Sequence, residues 1–339
     1  MRLEAICKLK FMLIFLLSIV NFLLFSALAC LASEPRWTPE HDKTLSLRAA
    51  LIGPGLDFTV SGPGADVVYI PNSPTLLSFG VGYQNVGFSF QLPSSPDAAS
   101  IEEKGTSAIQ DYQLRFFGHR DTHELIYQDF KGYSIQDWKD ALTGQPQLRP
   151  DMQVQTVGYN YITVLSPAYF SNAVAFAQSG IQKEGGGSFL LWASAGRTNI
   201  KSDSPMLPSY ITSGRSRIHD LISLQTHYLM GGAGYGYTLP IWTHYYFVGS
   251  AYLGAGIGYQ KAEVIDKSGK WSNSSLHRVG LRLGTGYNYN SHAVGIQIIV
   301  DQNSTTVEDG QVSQATFSTQ VFYSYRIGDV DIPIPSFLK

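Results

Sequence analysis

The stretch LSFGVGYQNVGFSFQL, residues 77–92, alternates large apolar residues with small or polar ones on both sides of a Gln-Asn pair. Leu77 and Phe79 share one face before the pair, and Phe88 and Phe90 return to that face after it. This pattern predicts a β-hairpin with a two-residue turn. The opposite face carries Gly and Ser, where a strand face in contact with water usually carries Lys, Glu or Thr.

The same alternation recurs along the chain, for example in 245–259, 276–289 and 315–327. These segments exceed the usual strand length of about 5–6 residues and suit the roughly 9–11 residues that a tilted strand needs to cross a bilayer. Tyr245 and Tyr259 flank one apolar face, as in the aromatic girdles of membrane barrels. The sequence therefore predicts an all-β fold, an antiparallel transmembrane β-barrel of about 12 strands. Its Gly and Ser faces line the lumen, whereas a soluble sandwich would place apolar residues inside.

The connections between the predicted strands alternate in length, as do the short periplasmic turns and longer outer loops of bacterial barrels. Short connections are predicted at 84–85, 119–121, 239–240 and 290–291, and long ones at 93–105, 132–150, 264–272 and 303–311. Segment 167–185 breaks this rhythm, because it is long on the short-turn side, and its length predicts a small plug or a periplasmic helix. A phase change near Met230 predicts a β-bulge. Residues 44–70, interrupted at Gly53-Pro54-Gly55, leave the strand count open by two.

The N-terminal segment is typical of a secretory signal peptide. Basic residues precede the apolar run FMLIFLLSIVNFLLFSALA, which ends in small residues, so we expect cleavage after Ala32 rather than a retained anchor. Lipidation at Cys30 is the alternative, and cleavage after Ala32 would leave a chain without cysteines, since the other one is Cys7. The expected organisation is a signal peptide at 1–32, a periplasmic segment at 33–43, the barrel at 44–327 and a C-terminal tail at 328–339.

The composition and motifs argue against several classes of function. A net charge of −2 gives no electrostatic basis for binding nucleic acid. The sequence contains no G-x-S-x-G, no H-E-x-x-H and no phosphate loop, and the glycines of 231–237 are not followed by a helix. His119 and His123 flank a predicted turn and do not form a metal-binding pair. We therefore expect no enzymatic activity, no cofactor and no metal.

Several short strings, taken in order, resemble one known family. They are Tyr69–Asn72 (YIPN), the hairpin at 77–90, Lys104–Gln113 (KGTSAIQDYQ), Lys131–Tyr133 (KGY), Arg149–Asp151 (RPD), Phe170–Ser171 and Gln182–Ser188 (QKEGGGS). The family is an uncharacterised domain of unknown function, found in exported Gram-negative proteins that are expected to form outer-membrane β-barrels. The resemblance implies the fold and the location, and it brings no activity, substrate or catalytic residue.

Strand parity places a cluster of charged side chains in the lumen. Its members are Arg48, Asp111, Arg115, Arg278, Arg282 and Arg326. Two interpretations remain open. Because buried charges need partners, Asp111 could pair with Arg115 and its neighbours and close the lumen with salt bridges. Alternatively, the arginines could line an anion-favouring pore or a site for a small solute.

We therefore expect an exported, monomeric outer-membrane barrel that is not an enzyme and has a structural, narrow-pore or small-solute role. Its expected partners are outer-membrane lipid and the outer-membrane assembly machinery, and nucleic acid is not among them. One alternative is a barrel enzyme acting on outer-membrane lipid, built from His227, His244, His277 or His292 with Ser223 or Ser250. Another is a surface adhesion or docking protein that uses its outer loops at 93–105, 132–150 and 200–218.

Overall fold

The structure is a computed structural model, and it describes residues 34–38, 44–63, 65–83, 86–92, 94–139, 146–208, 217–265 and 267–328. The predicted signal peptide, Cys30, the turn at 84–85 and residues 329–339 of the tail lie outside these ranges.

Long antiparallel strands make up most of the described chain. The strands are β1 (Trp37–Thr38), β2 (Leu45–Gly62), β3 (Ala65–Ile70), β4 (Leu76–Tyr83), β5 (Val86–Gln91), β6 (Ala108–Phe117), β7 (Asp121–Lys139), β8 (Pro146–Val164), β9 (Ile181–Gln182), β10 (Gly186–Lys201), β11 (Leu221–Pro240), β12 (Tyr245–Val264), β13 (Trp271–Tyr289), β14 (His292–Val307) and β15 (Gly310–Ile327). The helices are α1 (Ala98–Lys104) and α2 (Asn172–Ala177), and Arg217–Asp220 form a 3₁₀ turn. Neither α-helix in the described part of the chain is long and apolar enough to cross a membrane.

Twelve of the described strands close into a ring in the order β2, β4, β5, β6, β7, β8, β10, β11, β12, β13, β14, β15, and β15 pairs back with β2. The predicted antiparallel β-barrel of about 12 strands is therefore confirmed. We call the end of the barrel where β2 begins and β15 ends the turn end, and the opposite end the loop end. The small strands β1 and β9 form a separate two-stranded sheet.

β3 and β4 are two halves of one wall strand, and both run antiparallel to β2. β4 pairs with the first half of β2, up to Ile52, and β3 pairs with the second half, from Phe58 onward. Pro54, which has no N–H to donate, lies in the intervening stretch, where this edge of β2 has no partner in the described ladders. β2 is therefore one strand through Gly53-Pro54-Gly55, and the ambiguity at 44–70 is resolved.

The barrel narrows toward its loop end. At that end β3 pairs directly with β7, through Tyr69 opposite Ile135. At the turn end, β4, β5 and β6 stand between β2 and β7. Because one strand replaces three, the ring of twelve strands becomes a ring of ten.

The outer face carries the predicted apolar band. Leu253 is 69% exposed and Val279 is 61% exposed, although both lie in the middle of long paired strands. Aromatic residues flank the band, since Tyr245 packs on Tyr287 near the turn end and Tyr259 stacks on Trp271 near the loop end. Exposed apolar side chains between aromatic girdles are the surface that a membrane barrel presents to lipid.

The apolar face changes sides part of the way along the strands. On β2, Leu51 points outward near the turn end, whereas Phe58 points inward and is fully buried. On β11, Leu229 is exposed and Leu224 is buried, and the ladder through Met230 is continuous. The predicted bulge near Met230 is therefore wrong. The phase change arises because the strands leave the lipid, and beyond that level a sheet with water outside buries its apolar residues inside.

This extension of the strands also shortens two predicted loops. β7 continues to Lys139 and β8 begins at Pro146, so the predicted connection at 132–150 is mostly strand. β14 ends at Val307 and β15 begins at Gly310, so the connection predicted to be long at 303–311 is a tight turn. Segment 167–185, which was predicted to hold a small plug or a periplasmic helix, contains the short buried helix α2.

Candidate functional site in the barrel lumen

An apolar cluster, which we name the cap, fills the loop end of the lumen. Its members are Leu56, Phe58, Val60, Val67, Tyr69, Phe130, Tyr133, Ile135, Met152, Val154, Ile200, Met206, Leu207, Ile218, Leu221, Leu224, Val307 and Val312. Several wall strands contribute, and Met206, Leu207 and Ile218 come from the connection between β10 and β11. The ideal Cβ of Gly62 would lie 2.8 Å from Ile218, so this glycine leaves room for the incoming isoleucine. A side chain buried in this way contributes about 1.5–3 kcal/mol.

Residues 165–185, which we name the plug, enter the lumen from the turn end. α2 begins after Ser171, whose Oγ accepts from the backbone N–H of Val174 at 3.5 Å. It ends at Gln178, which adopts the left-handed conformation with φ of 54°. The long connection on the short-turn side thus forms a buried helical turn.

Side chains from the barrel wall hold the plug in place. Gln297 Nε2 donates to the carbonyl of Phe176 at 2.8 Å, and Arg326 Nη2 donates to the carbonyl of Gln178 at 2.8 Å. β9 of the plug pairs with β1, so the chain that precedes the barrel is attached to the plug as well. Arg326, one of the predicted lumenal charges, therefore anchors the backbone of the plug.

A cavity of about 250 Å³ lies between the cap and the plug. Its lining includes Thr44, Gly82, Gly87 and Phe117, which stand at the turn-end limits of β2, β4, β5 and β6. The cavity therefore opens toward the turn end, beside the plug. All of the sequence-predicted lumenal charges line it: Arg48, Asp111, Arg115, Arg278, Arg282 and Arg326.

Glu124 on β7 joins two of these arginines. Its Oε1 lies 2.5 Å from Arg115 Nε, and its Oε2 lies 3.5 Å from Arg282 Nη2. Asn160 Nδ2 also donates to Glu124 Oε2 at 3.0 Å. β7 and β13 are separated by four other strands on one side of the ring, so the contact with Arg282 spans the lumen.

Asp301 on β14 is the partner of Arg278, with 3.2 Å between Oδ1 and Nη2. The hydroxyl of Tyr252 also donates to Asp301. Arg278 Nη1 in turn donates to Asn160 Oδ1 at 3.2 Å. A single polar network thus connects β7, β8, β13 and β14 across the lumen.

The predicted pairing of Asp111 with Arg115 is wrong. The Asp111 carboxylate accepts from Gln113 Nε2 at 3.0 and 3.2 Å, while Arg115 pairs with Glu124. The reason is geometric. Asp111 and Arg115 are four residues apart on one strand, about 13 Å at the usual rise, whereas Arg115 and Glu124 are direct cross-strand neighbours. Parity applied to β7 and β14 would have identified Glu124 and Asp301, which the sequence analysis missed.

Arg48 has no carboxylate partner among the described residues. Its guanidinium lies 3.7 Å from the ring centroid of Phe322, and it makes long hydrogen bonds of 3.4 Å to Gln178 Oε1 and 3.5 Å to Gln297 Oε1. Apart from Arg326, which holds the plug, the described lining sets four guanidinium groups against three carboxylates: Arg48, Arg115, Arg278 and Arg282 against Asp111, Glu124 and Asp301. The cavity therefore has a positive excess, and Arg48 is its least compensated cation.

The inward glycines serve two different purposes. On β12 and β13 they make room for large inward side chains, since a Cβ on Gly280 would lie 2.1 Å from Tyr252 and one on Gly254 would lie 2.3 Å from Trp192. On the hairpin of β4 and β5 they are not crowded, since the nearest atom to a Cβ on Gly87 is a backbone oxygen at 3.9 Å, an ordinary contact distance. The Gly and Ser face of this hairpin therefore forms one side of the cavity.

Three of the family strings meet where β3 gives way to β4. Asn72 Nδ2 donates to the carbonyl of Gly105 at 2.7 Å, and Ser107 Oγ donates to the carbonyl of Gly132 at 2.6 Å. Gly132 has φ of +88°, and a Cβ there would lie 2.3 Å from the carbonyl oxygen of Thr106. YIPN, KGTS and KGY thus fix the connection that carries α1 against the wall.

Two further strings organise the ends of the barrel. Arg149 Nη2 pairs with Asp151 Oδ2 at 2.9 Å and donates to the carbonyl of Ser204 at 3.0 Å, which ties down the connection that supplies part of the cap. Gln182 Nε2 donates to the carbonyl of Glu184 at 2.8 Å within the plug.

Three of the four histidines considered for catalysis, His227, His244 and His292, lie against aromatic rings. His227 is exposed and its ring centroid is 5.4 Å from that of Trp271, while His292 Nδ1 lies 2.7 Å from the hydroxyl of Tyr323. Ser250 is buried on the inward face of β12. In the described part of the chain, no hydrogen bond joins Ser223 or Ser250 to any of the four histidines. The described residues likewise contain no cluster of His, Cys, Asp and Glu able to hold a metal ion.

The fold and the lumen define a transmembrane-type β-barrel that is capped at one end and plugged at the other. The model of the family described as "Domain of unknown function (DUF4421)" matches residues 38–327. The chain belongs to this family, and the resemblance drawn from its short strings is confirmed.

A search of curated proteins finds no match. Among solved structures the chain is similar to the outer membrane protease OmpT from Escherichia coli, with 10% identity, a TM-score of 0.39 and coverage of 86% of this chain and 98% of that one. It is also similar to Ail, the attachment invasion locus protein of Yersinia pestis, with 10% identity, a TM-score of 0.23 and coverage of 83% and 99%. A third similar structure is the P. putida toluene transporter TodX, with 9% identity, a TM-score of 0.18 and coverage of 88% and 94%. Likeness at this level carries no argument about function.

Proposed function

We propose that this protein is a non-enzymatic outer-membrane barrel of a Gram-negative bacterium, whose lumen holds a small solute without conducting it across the membrane. The observation that carries the proposal is the closure of the lumen by the cap, next to a cavity that opens at the turn end. The turn end faces the periplasm, because short connections lie on the periplasmic side of bacterial barrels. The signal peptide at 1–32 directs export and is cleaved from the exported protein.

The charge arrangement supports a closed lumen over an ion-conducting one. Glu124 and Asp301 form ion pairs with Arg115, Arg278 and Arg282, so these arginines do not form a free cationic ring. A selective pore instead presents its charges to the permeating ion. The salt-bridge interpretation of the lumenal charges is therefore the one that we favour.

The surface features agree with the partners expected from the sequence. The exposed apolar band contacts outer-membrane lipid, and the assembly machinery inserts the barrel, which we propose is a monomer. In the described part of the chain no hydrogen bond joins the candidate serines to the histidines, which favours the non-enzymatic interpretation over lipid hydrolysis. Adhesion through the outer loops is disfavoured, because most of 132–150 is strand and part of 200–218 is buried in the cap.

Single-channel recording in a planar bilayer tests the proposal. Wild-type protein, refolded in detergent and reconstituted beside a general porin as positive control, should give little or no current at two salt concentrations. A stable, large conductance would refute a closed lumen. Membrane fractionation and heat-modifiable gel mobility check the location and the barrel fold in the same preparation.

A further inference from the structure

We propose that the cavity binds a small soluble anion that carries a carboxylate or phosphate group, and that Arg48 is its principal binding residue. This inference rests on the proposed function, since it names the class of solute that the turn-end cavity takes. The observations behind it are the shape of one cavity wall, its charge and its access.

The part of the wall that β4 and β5 form carries only small inward residues between Arg48 and Arg115, and we name its inward face around Gly80, Gly87 and Ser89 the floor. Arg48 on β2 lies opposite Gly80 on β4, and Arg115 on β6 lies opposite Gly87 on β5. The remaining inward residue of β5 within this floor, Ser89, is small as well. Because no large side chain rises from β4 or β5 here, a ligand can lie on the backbone with a guanidinium at either side.

The glycines of the floor are not crowded by neighbouring atoms. A Cβ on Gly87 would meet no atom closer than 3.9 Å, and one on Gly80 would meet none closer than 3.4 Å. The cavity of about 250 Å³ also far exceeds the roughly 10–15 Å³ of probe volume that a single water needs. It is therefore large enough for a small organic molecule.

The charge of this region selects an anion. Arg115 shares the carboxylate of Glu124 with Arg282, and Arg48 has no carboxylate among the described residues. Arg48 and Arg115 also repel each other. An anionic group between them would relieve this repulsion and would replace the long bonds of Arg48 with charge-assisted hydrogen bonds, which are about twice as strong as neutral ones.

The ligand is free in the periplasm and is not a lipid headgroup. The floor belongs to the inward face of β4 and β5, whereas their lipid-facing side carries Phe79, Val81, Phe88 and Phe90. The cavity reaches the turn end beside Ser179 of the plug, so a soluble molecule enters along the barrel axis.

Isothermal titration calorimetry of the full-length mature barrel in non-ionic detergent tests the inference. The probes are succinate and inorganic phosphate, with glucose and putrescine as neutral and cationic comparisons. We expect saturable binding of at least one anion and none of the comparisons. Arg48→Gln should weaken that binding tenfold or more, and Gly87→Leu should abolish it by filling the floor. Heat-modifiable mobility confirms that each variant is folded.

Arg217→Gln is the matched control, because Arg217 lies in the 3₁₀ turn before β11, is 71% exposed and pairs with Glu308 outside the cavity. It removes the same charge and should bind like wild type. Equal affinity of Arg48→Gln and Arg217→Gln, or the absence of anion binding to a folded wild type, would overturn the inference. So would Arg48-dependent binding of phosphatidylglycerol in mixed micelles without binding of either soluble anion. If the bilayer recording is silent and no anion binds, only the anion-binding proposal is refuted. A large conductance would instead refute the proposed closed lumen.

Discussion

Replacing Glu124 with glutamine tests the lumenal network most directly. This carboxylate accepts a hydrogen bond from Arg115 on the neighbouring strand and forms an ion pair with Arg282 across the lumen, and its side chain is only 5% exposed. Glu124→Gln keeps the size of the side chain and removes the charge. Two arginines then face the lumen without their shared anion.

The size of the effect follows from how deeply each partner is buried. Removing one member of a buried ion pair costs about 3–5 kcal/mol, because the remaining charge stays buried without compensation. The side chain of Arg282 is 9% exposed, whereas that of Arg115 is 26% exposed and is partly solvated at the turn-end opening. We therefore expect the lower end of the range, a loss of about 3 kcal/mol in the free energy of unfolding.

Urea unfolding of the barrel in lipid vesicles, followed by tryptophan fluorescence, measures this loss. Asp111→Asn is the control, since Asp111 is also buried in the lumen but accepts from Gln113 rather than from an arginine. We expect that variant to lose about 1 kcal/mol, the worth of an ordinary hydrogen bond. In a double-mutant cycle, Arg282→Gln should cost less in the Glu124→Gln background than in wild type. Equal losses for the two acidic variants, or additive effects in the cycle, would show that Glu124 does not organise the lumen.

Other features of the barrel allow further tests. Leu281→Arg, on the lipid face, should cost about 2–4 kcal/mol in the same unfolding assay, whereas Asn273→Arg, at the aromatic girdle, should cost at most about 1 kcal/mol; equal costs would contradict the assigned membrane level. Asn72→Ala should increase proteolysis of the connection that carries α1 without loss of heat-modifiable mobility. Ser73→Ala should not increase this proteolysis, because the Ser73 hydroxyl has no hydrogen-bond partner among the described residues. Equal cleavage of the two variants would disprove the anchoring role of Asn72. Truncation after Gly328 should still yield an inserted barrel, because β15 is already complete, and failure to insert would assign the assembly signal to the tail.

Period-two alternation was sufficient to predict the barrel and its lipid face. Outward Phe79 and Phe88 and inward Gly80 and Gly87 lie as the hairpin pattern indicated. This works because a strand that crosses lipid has a single strong requirement, an apolar outer face, and that requirement is visible residue by residue. The plug was also detectable, because 167–185 was too long for its side of the barrel.

The cap could not be predicted from an apolar outer face, because its apolar residues face inward. Phe58 and Phe130 point inward because their strand segments lie beyond the lipid. If every apolar strand residue is assumed to face lipid, such residues are assigned to the wrong face or to a bulge. The β3–β7 pairing is equally hidden, because it depends on where β2 changes partner. The Arg282–Glu124 contact joins strands that are far apart in the chain and in the ring, and strand parity can place both side chains in the lumen without showing that they meet.

The glycines of the lumen link closure to binding. The ring of Trp192 on β10 fills the space in front of Gly254 on β12, and the ring of Tyr252 on β12 fills the space in front of Gly280 on β13. The small residues of β12 and β13 therefore allow dense packing. On β4 and β5 no large side chain enters the space above Gly87, although the residue type is the same. The difference arises because Phe176 of the plug packs into an apolar cluster with wall residues such as Trp192, and the plug leaves the side toward β4, β5 and β6 open. The same composition therefore closes one half of the barrel and leaves a charged cavity in the other.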